Sequence, residues 1–224
     1  MLKPPTTRQV GSSCTRERIV QAAIRLYQEI GYRKTTVADV ARDASMSPAN
    51  LYRFYPCRRA LEEAVVTALL EEVSAAAASA ARSSRSGLER LNAAFWAISR
   101  MHEDRLANNV RLHELVVAAG QENWPASLSH ADRLRGVVQS VIAAGQAGGE
   151  FRAGSPMALA CCLLDAMDAY LNPSRIKAAA LRPTFDEMMS FCAGALSNAA
   201  SVNEVPSQVT SIRAALPYKL HCRA

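Results

Sequence analysis

The sequence predicts an all-α protein, and three observations carry that prediction. Apolar residues recur at intervals of three and four along most of the chain, which is the period of an amphipathic helix. Residues that cap helices precede most of these stretches, often with an acidic side chain three positions later. No segment alternates polar and apolar residues between two turns, so no strand is predicted.

The first predicted helix runs over 15–30 and ends at Gly31. Residues 1–14 show no periodicity, and we expect a flexible arm there. The next segment begins with Thr36 as N-cap and Asp39 three residues later, a capping box. After a short turn, Ser47 caps another short helix with Pro48 at its first position. Two short helices joined by a tight turn predict a helix-turn-helix, whose second helix enters the major groove of DNA.

Six further helices are predicted after Pro56. The first spans 57–83 and links a domain at 15–62 to a larger one at 63–200. The next starts at the Ser86/Glu89 capping box and ends near Met101 or Arg105, and another spans 108–119 and is closed by Gly120. The last three span 125–147, 156–171 and, from the Thr184/Glu187 box, 184–196. Residues 201–224 lack a period, and we expect a disordered tail.

Several residues around the helix-turn-helix resemble the DNA-binding domain of the tetracycline-repressor (TetR) family. The resemblance covers about a quarter of the chain and is carried by Thr35-Thr36-Val37, Ala41, Ser47-Pro48, Leu51-Tyr52-Arg53, Pro56, Arg58 and Leu61, with Thr15-Arg16-Glu17-Arg18-Ile19, Ala22-Ala23 and Gly31-Tyr32 upstream. It implies a homodimeric transcriptional regulator with a three-helix DNA-binding domain on a helical domain that senses a small-molecule effector. The implied partners are double-stranded DNA with a palindromic operator and an effector of unknown identity.

Seven residues are the candidates for contacting DNA: Thr36, Ser47, Ala49, Asn50, Tyr52, Arg53 and Arg58. Ser47, Ala49 and Asn50 lie at the front of the reading helix and are the candidates for base edges. Thr36 stands at a helix N-terminus, which suits a phosphate, although it could serve only as a cap. By the resemblance, Tyr52 and Arg58 match phosphate-binding positions. Arg53 is either a base contact or a solvated charge.

The charge distribution agrees with a DNA-binding front. Residues 1–59 hold eleven Lys and Arg against four Asp and Glu, a net charge of +7, whereas the whole chain carries +6. The remainder is therefore close to neutral. A basic segment on a near-neutral body is typical of a surface that meets phosphates.

The effector site is less well marked. Aromatic, methionine and polar side chains of the middle helices suit an apolar ligand held by a few polar groups. The candidates are Phe95, Trp96, Met101, His102, Arg105, His113, Trp124, Asp165 and Asp168. The resemblance implies that the last two helices pair across a two-fold axis, with Leu163, Met167, Tyr170, Met188, Met189, Phe191 and Leu196 as interface candidates; packing inside one protomer is the alternative.

Other functions have weaker support. The six cysteines form no CxxC pair, and the histidines lack the HExxH spacing, so neither a metal nor another cofactor is expected. No nucleophile motif or phosphate loop points to an enzyme. No apolar run approaches the ~18 residues of a membrane helix, and no secretory signal is recognisable, so a cytoplasmic protein is expected. Two alternatives stay open, a DNA-binding regulator without a ligand and a redox-responsive one acting through Cys57.

Overall fold

The computed structural model describes residues 7–83, 86–176 and 182–198, which form helices joined by short turns. In the described ranges the helices are α1 Thr7–Ile30, α2 Val37–Asp43, α3 Pro48–Tyr52, α4 Arg58–Ser83, α5 Gly87–Asn108, α6 Val110–Gln121, α7 Pro125–Ala147, α8 Pro156–Leu171 and α9 Phe185–Leu196. The all-α prediction is confirmed, and no strand lies in these ranges. The predicted tail at 201–224 lies outside the described residues.

Three of the predicted helix starts after Pro56 are confirmed by side-chain hydrogen bonds at the caps. Ser86 with Glu89 and Thr184 with Glu187 each form both bonds of a capping box. Ser155 accepts a hydrogen bond from the Ala158 N–H ahead of Pro156. Each cap satisfies N–H groups that a helix N-terminus would otherwise leave without a partner.

Three predicted helix ends were wrong. Helix α1 begins at Thr7, inside the expected arm, because adding residues to an existing helix costs much less than nucleating one. Helix α5 continues to Asn108, whose side chain donates to Asp104 at 2.6 Å. Gly120 lies inside α6, which ends at Gln121; the turn that follows places Asn123 at φ 53° instead.

The interior contains two hydrophobic clusters that divide at a different place from the predicted boundary at residue 62. The first cluster joins α1–α3 and the start of α4 to residues of α6 and the α7 start, which are Leu112, Leu115, Val116, Ala119, Trp124 and Ala126. The second joins the rest of α4 to α5, α7, α8 and α9. Helix α4 is therefore shared by both clusters, as its predicted role as a link requires.

Helix α4 is also the one helix in the described ranges that is long and apolar enough, by composition, to cross a membrane. It packs against α1, α5, α6 and α7, and 44% of its most apolar window is buried inside the protein. Val65, Val66 and Val73 are fully buried there. These features are those of a core helix.

Polar contacts fasten α6 to the C-terminal end of α1. Arg111 donates to the carbonyl of Gln28 at 3.0 Å and to that of Glu29, and the Gln28 amide donates to Asn109 at 3.1 Å. A cation beside the last carbonyls of a helix also opposes the negative end of its dipole. A displacement of α6 would therefore be transmitted to α1 through these hydrogen bonds.

Candidate nucleic-acid interface and effector cavity

The helix-turn-helix is built from two capped helices and a left-handed turn residue. The Thr36 hydroxyl accepts from the Asp39 N–H at 3.2 Å, and the Asp39 carboxylate accepts from the Thr36 N–H at 3.0 Å, as predicted. Ser45 then adopts φ 54°, and the Met46 N–H donates to the Ala41 carbonyl at 2.9 Å. This reversal turns the chain directly into the cap of α3.

The reading helix α3 turns its apolar side chains inward and its polar ones outward. Leu51 is 0% exposed and Tyr55 is buried, whereas Tyr52 is 48% exposed. The exposed positions also include Ser47, Ala49 and Arg53, while Asn50 is half-buried. Phe54 packs partly against the core, with the Arg16 guanidinium 5.8 Å from its ring centre.

The hydroxyls of the two N-caps are used differently. Ser47 accepts from the Asn50 N–H at 3.2 Å, which leaves its own hydrogen available to a ligand. Thr36 donates its hydrogen to Asp39 at 2.6 Å, and hydrogen bonds from the Thr36 hydroxyl lower the pKa of that carboxyl. A phosphate can accept from the Thr36 hydroxyl only if Asp39 releases it.

Arg58 stands at the start of α4 and links this helix to the turn between α1 and α2. Its Nε donates to Glu62 at 2.7 Å, and its Nη2 donates to the Tyr32 carbonyl at 2.5 Å. The guanidinium has further N–H groups, and the side chain is 44% exposed, so a phosphate could share it. The pKa of the nearby Tyr27 is raised mainly because its side chain is buried, and the charge of Glu62 raises it further. Tyr27 therefore stays neutral.

A cavity of about 340 Å³ opens between α4, α6, α7 and α8. Its lining residues are Leu70, Val116, Gly120, Asn123, Ser127, Leu128, His130, Ala131, Leu134, Arg135, Leu164, Asp165, Asp168, Leu171, Asn172 and Pro173. Leu70, Val116, Leu134 and Leu171 are buried and form an apolar floor. A concave apolar site of this size with a few polar groups fits a small organic ligand.

One wall of the cavity is supported by a buried polar network. The Ser74 hydroxyl donates to the Leu70 carbonyl at 2.9 Å and lies 2.7 Å from Nδ1 of His130. Since its hydrogen is already used, Ser74 accepts from His130, which assigns the proton to Nδ1 and leaves Nε2 as an acceptor. Burial, followed by Arg133, lowers the pKa of His130 to about 4.

A second histidine lies deeper in the same region. His102 is fully buried, and its Nδ1 accepts from Arg105 at 3.3 Å, while Arg105 also donates to the Leu69 carbonyl at 3.2 Å. Burial and then Arg105 lower the pKa of His102 to about 3. Both imidazoles are therefore neutral at physiological pH.

Comparison with known proteins decides the family. Residues 19–65 match the family described as bacterial regulatory proteins, tetR family, and residues 88–190 match the tetracyclin repressor-like C-terminal domain. The chain belongs to the TetR family. TetR regulators bind DNA, and the resemblance noted in the helix-turn-helix is confirmed. No curated protein sequence matches the chain significantly.

Solved TetR structures share the fold at low sequence identity. A regulator from Pectobacterium atrosepticum is 17% identical, with a TM-score of 0.60, and the match covers 85% of this chain and 93% of that one. A TetR/AcrR regulator from Thermobifida fusca is 21% identical over 80% and 94% of the two chains, with a TM-score of 0.56. RolR in complex with resorcinol is 16% identical over 84% and 87%, with a TM-score of 0.56.

The effector candidates of this TetR protein do not line one cavity. Asp165 and Asp168 line the 340 Å³ cavity. Met101 and Arg105 line a recess beside α1, and His113 lines another near Arg33. Phe95 and His102 are buried. Trp96 is exposed against Phe185, and Trp124 lies in the first cluster under Arg59.

The residues that sequence reasoning missed carried a recognisable signal. Ser127, His130, Ala131 and Leu134 occupy one face of α7 at helical spacing. Leu164 and Leu171 do the same on α8, beside the predicted Asp168. A titratable residue within an otherwise apolar stripe marks a surface that is not simply core. Leu70 carried no such signal, because its neighbours in α4 are equally apolar.

Most of the dimer-interface candidates are buried inside one protomer. Leu163, Met167, Tyr170, Met189 and Leu196 belong to the second cluster, and Met188 packs partly against it. The five cluster members are buried in the protomer and offer a second copy almost no surface, whereas Met188 is only half-buried. Phe191 is the exception, at 70% exposed.

Proposed function

We propose that this TetR protein is a homodimeric repressor that binds a palindromic operator and is released by a small-molecule effector. The single observation that carries the proposal is the orientation of α3. Leu51 and Tyr55 are anchored in the core while Ser47, Ala49 and Tyr52 face solvent. A short capped helix held in this way can enter a major groove without rearranging its own domain.

In the proposed complex, contacts divide into positioning and reading. Tyr52 and Arg58 would hold phosphates, and Arg53, which has no ion pair in the described part of the chain, is free to join them. Ser47 and Asn50 would meet base edges with their polar groups, and Ala49 with its methyl. Thr36 would contribute mainly as the cap of α2, since its hydroxyl serves Asp39.

The second copy would bind across the outer faces of α8 and α9. Phe191 and Met157 are exposed there, and a shallow recess of about 140 Å³ between the two helices is lined by Cys162, Ala166 and Phe191 among others. Exposed large apolar groups on adjacent helices are what an isologous interface requires. A dimer would set two reading helices ~34–36 Å apart, one turn of DNA.

The effector would occupy the 340 Å³ cavity and act through the helices that line it. Helix α4 contributes Leu70 to the cavity and Arg58 to the DNA side. Helix α6 contributes Val116 to the cavity and holds α1 through Arg111. A ligand that favours a different spacing of these helices would favour a dimer that no longer fits its operator.

The decisive experiment is selection of DNA bound by the full chain, from fragments flanking its own gene, followed by a small-molecule release screen. The double variant Tyr52→Phe with Arg58→Ala should weaken binding to all sequences and flatten the salt dependence, because phosphate contacts release counterions. An unchanged salt dependence would remove these two roles. Failure to select any DNA would overturn the regulator itself.

A redox-responsive version of the regulator rests on Cys57. Its thiol is exposed, and its sulfur accepts from the Ala60 N–H at 3.4 Å, so it caps α4 next to Arg58 and Arg59. An oxidised sulfur would lose this capping geometry at the edge of the reading domain. The alkylation rate against pH tests the idea, since an ordinary thiol profile would exclude a sensitised cysteine.

A further inference from the structure

The rim of the effector cavity carries one carboxylate that nothing in the described structure neutralises. Asp165 and Asp168 stand one helical turn apart on α8, both on the cavity wall. Asp168 accepts from Arg175 at 2.8 Å and from the Asn172 amide at 3.1 Å. Within the described ranges, Asp165 forms neither an ion pair nor a side-chain hydrogen bond.

The positive charge at the rim is already matched. Arg135 is the cationic residue of the cavity lining, and it forms an ion pair with Asp132 one turn earlier on α7. That hydrogen bond raises the pKa of Arg135 and holds the guanidinium in place. Pairing Arg135 with Asp132 and Asp168 with Arg175 leaves Asp165 as the single unpaired charge among the described residues of the rim.

Polarity changes with depth in this cavity. The floor is formed by buried apolar residues, including Leu70, Leu134 and Leu171. Asp165 is exposed at the mouth, and the wall offers the half-buried His130, whose Nε2 accepts a hydrogen bond when the ring proton is on Nδ1. As far as the chain is described, the cavity therefore combines an apolar interior with hydrogen-bond acceptors and one unpaired negative charge at its opening.

We propose that the effector is a small amphiphilic organic cation, an amine whose apolar part enters the cavity while its ammonium group stays at the mouth beside Asp165. This inference rests on the proposed function, because it assigns a ligand class to the same cavity. A cation at the mouth keeps much of its hydration, so it avoids the cost of burying a charge. An anion would meet Asp165 without compensation, and a neutral ligand would leave the carboxylate unused.

The test uses three probes of equal chain length: octylamine and octanoate below their micellar concentrations, and octan-1-ol below its solubility limit. Binding to the full chain is measured by calorimetry without DNA. Octylamine should bind more tightly than octan-1-ol by about fivefold, which corresponds to an ion pair in a partly exposed site. Octanoate should bind most weakly of the three, and raised salt should reduce the advantage of the amine.

Matched variants assign the effect to its residue. Asp165→Asn should abolish the preference for octylamine while leaving octan-1-ol unchanged. The control is Asp186→Asn, which should keep the preference, because Asp186 is an exposed carboxylate on α9 outside the cavity. Equal binding of all three probes, tighter binding of octanoate, or a preference that survives Asp165→Asn would each overturn the inference.

Operator binding is measured separately, so the two proposals fail separately. If the chain binds selected DNA and neutral or anionic molecules release it from that DNA, the repressor proposal is supported and the amine proposal is contradicted. If octylamine binds in the expected pattern but no DNA is selected, the ligand class stands and the repressor falls.

Discussion

Seven consecutive residues, Ser47 to Arg53, supply most of the surface proposed to read DNA, whereas the cavity proposed for the effector takes its walls from four helices spread between Leu70 and Pro173. The first site depends on one cap, one turn and two buried anchors. The second depends on how α4, α6, α7 and α8 pack together. A local site tolerates small shifts of the scaffold, while a composite site changes shape with every shift, which suits a sensor.

The two regions also differ in what lies behind them. Apolar side chains such as Leu51, Val40 and Ala41 support the reading helix. Behind the cavity lie buried histidines and Arg105, with the Ser74 hydroxyl between helices. Apolar packing responds weakly to pH and salt, whereas buried titratable groups respond strongly to pH. This contrast gives four predictions.

The largest effect is expected from Leu51→Ala, which removes the main anchor of the reading helix. Leu51 is fully buried, so we expect a loss of about 2–5 kcal/mol in the free energy of unfolding, from lost burial and the cavity left behind. Leu128→Ala is the matched control, because Leu128 is 53% exposed at the mouth of the cavity. Urea denaturation monitored by circular dichroism compares them; equal losses would mean that α3 is not anchored through Leu51.

Acidification should destabilise the cavity region. The folded-state pKa values of His130 and His102 are about 4 and about 3, below the ordinary value of ~6.5. At a pH between the folded and unfolded values, the unfolded chain therefore binds more protons than the folded protein. Stability is therefore complete above pH ~6.5 and is lost as the pH falls toward 4. At pH 5 we expect each histidine to lower the free energy of unfolding by roughly 2 kcal/mol relative to neutral pH.

Chemical denaturation between pH 7.5 and 5 measures this loss, and a variant isolates one of its sources. His130→Gln should remove part of the pH dependence while keeping a side chain that can hydrogen-bond to Ser74. A pH profile identical to that of the unmodified protein would show that His130 is not held neutral by its surroundings.

A smaller effect is expected from Arg53→Ala, which tests the reading surface without touching its core. Removing one phosphate contact should lower operator affinity roughly tenfold and reduce the slope of log K against log salt by about 0.9. Arg82→Ala is the control, since Arg82 is an exposed cation at the far end of α4. Fluorescence anisotropy at several salt concentrations gives both numbers, and a loss confined to the selected operator would identify Arg53 as a base contact instead.

The smallest effect on stability is expected from Ala131→Phe, which fills the mouth of the cavity. Ala131 is exposed on α7, so the free energy of unfolding should change by less than ~0.5 kcal/mol. Octylamine and octan-1-ol should both lose affinity because the opening is blocked, while DNA binding stays the same. Unimpaired binding of both probes would indicate a different entry or a different site.

These contrasts explain what could be predicted from the sequence. Helix-turn-helix features such as the Thr36 and Ser47 caps are properties of short segments, and both caps were predicted. The cavity depends on which helix faces meet, and periodicity specifies a face without naming its neighbour. Trp124 was therefore assigned to the effector site although it packs in the first cluster.

The same limit applies to α8. An all-round apolar helix signals burial on more than one side, but the sequence does not say which side meets the protomer and which a partner. The structure assigns Leu163 and Met167 to the protomer core, with Leu164 and Asp168 on the cavity. It leaves Met157 of α8 and Phe191 of α9 as exposed apolar groups.

The packing of α6 against α1, here called the seam, limits where the chain can be divided to make a chimera. Leu112, Leu115 and Trp124 complete the cluster that supports α1–α3, and Arg111 joins the seam at the end of α1. A chimera that cuts the chain after residue 62 and grafts a foreign sensor would expose the underside of the DNA-binding head. A transplant that carries residues 7–126 would retain those contacts, so a working exchange of specificity has to move α6 along with the head.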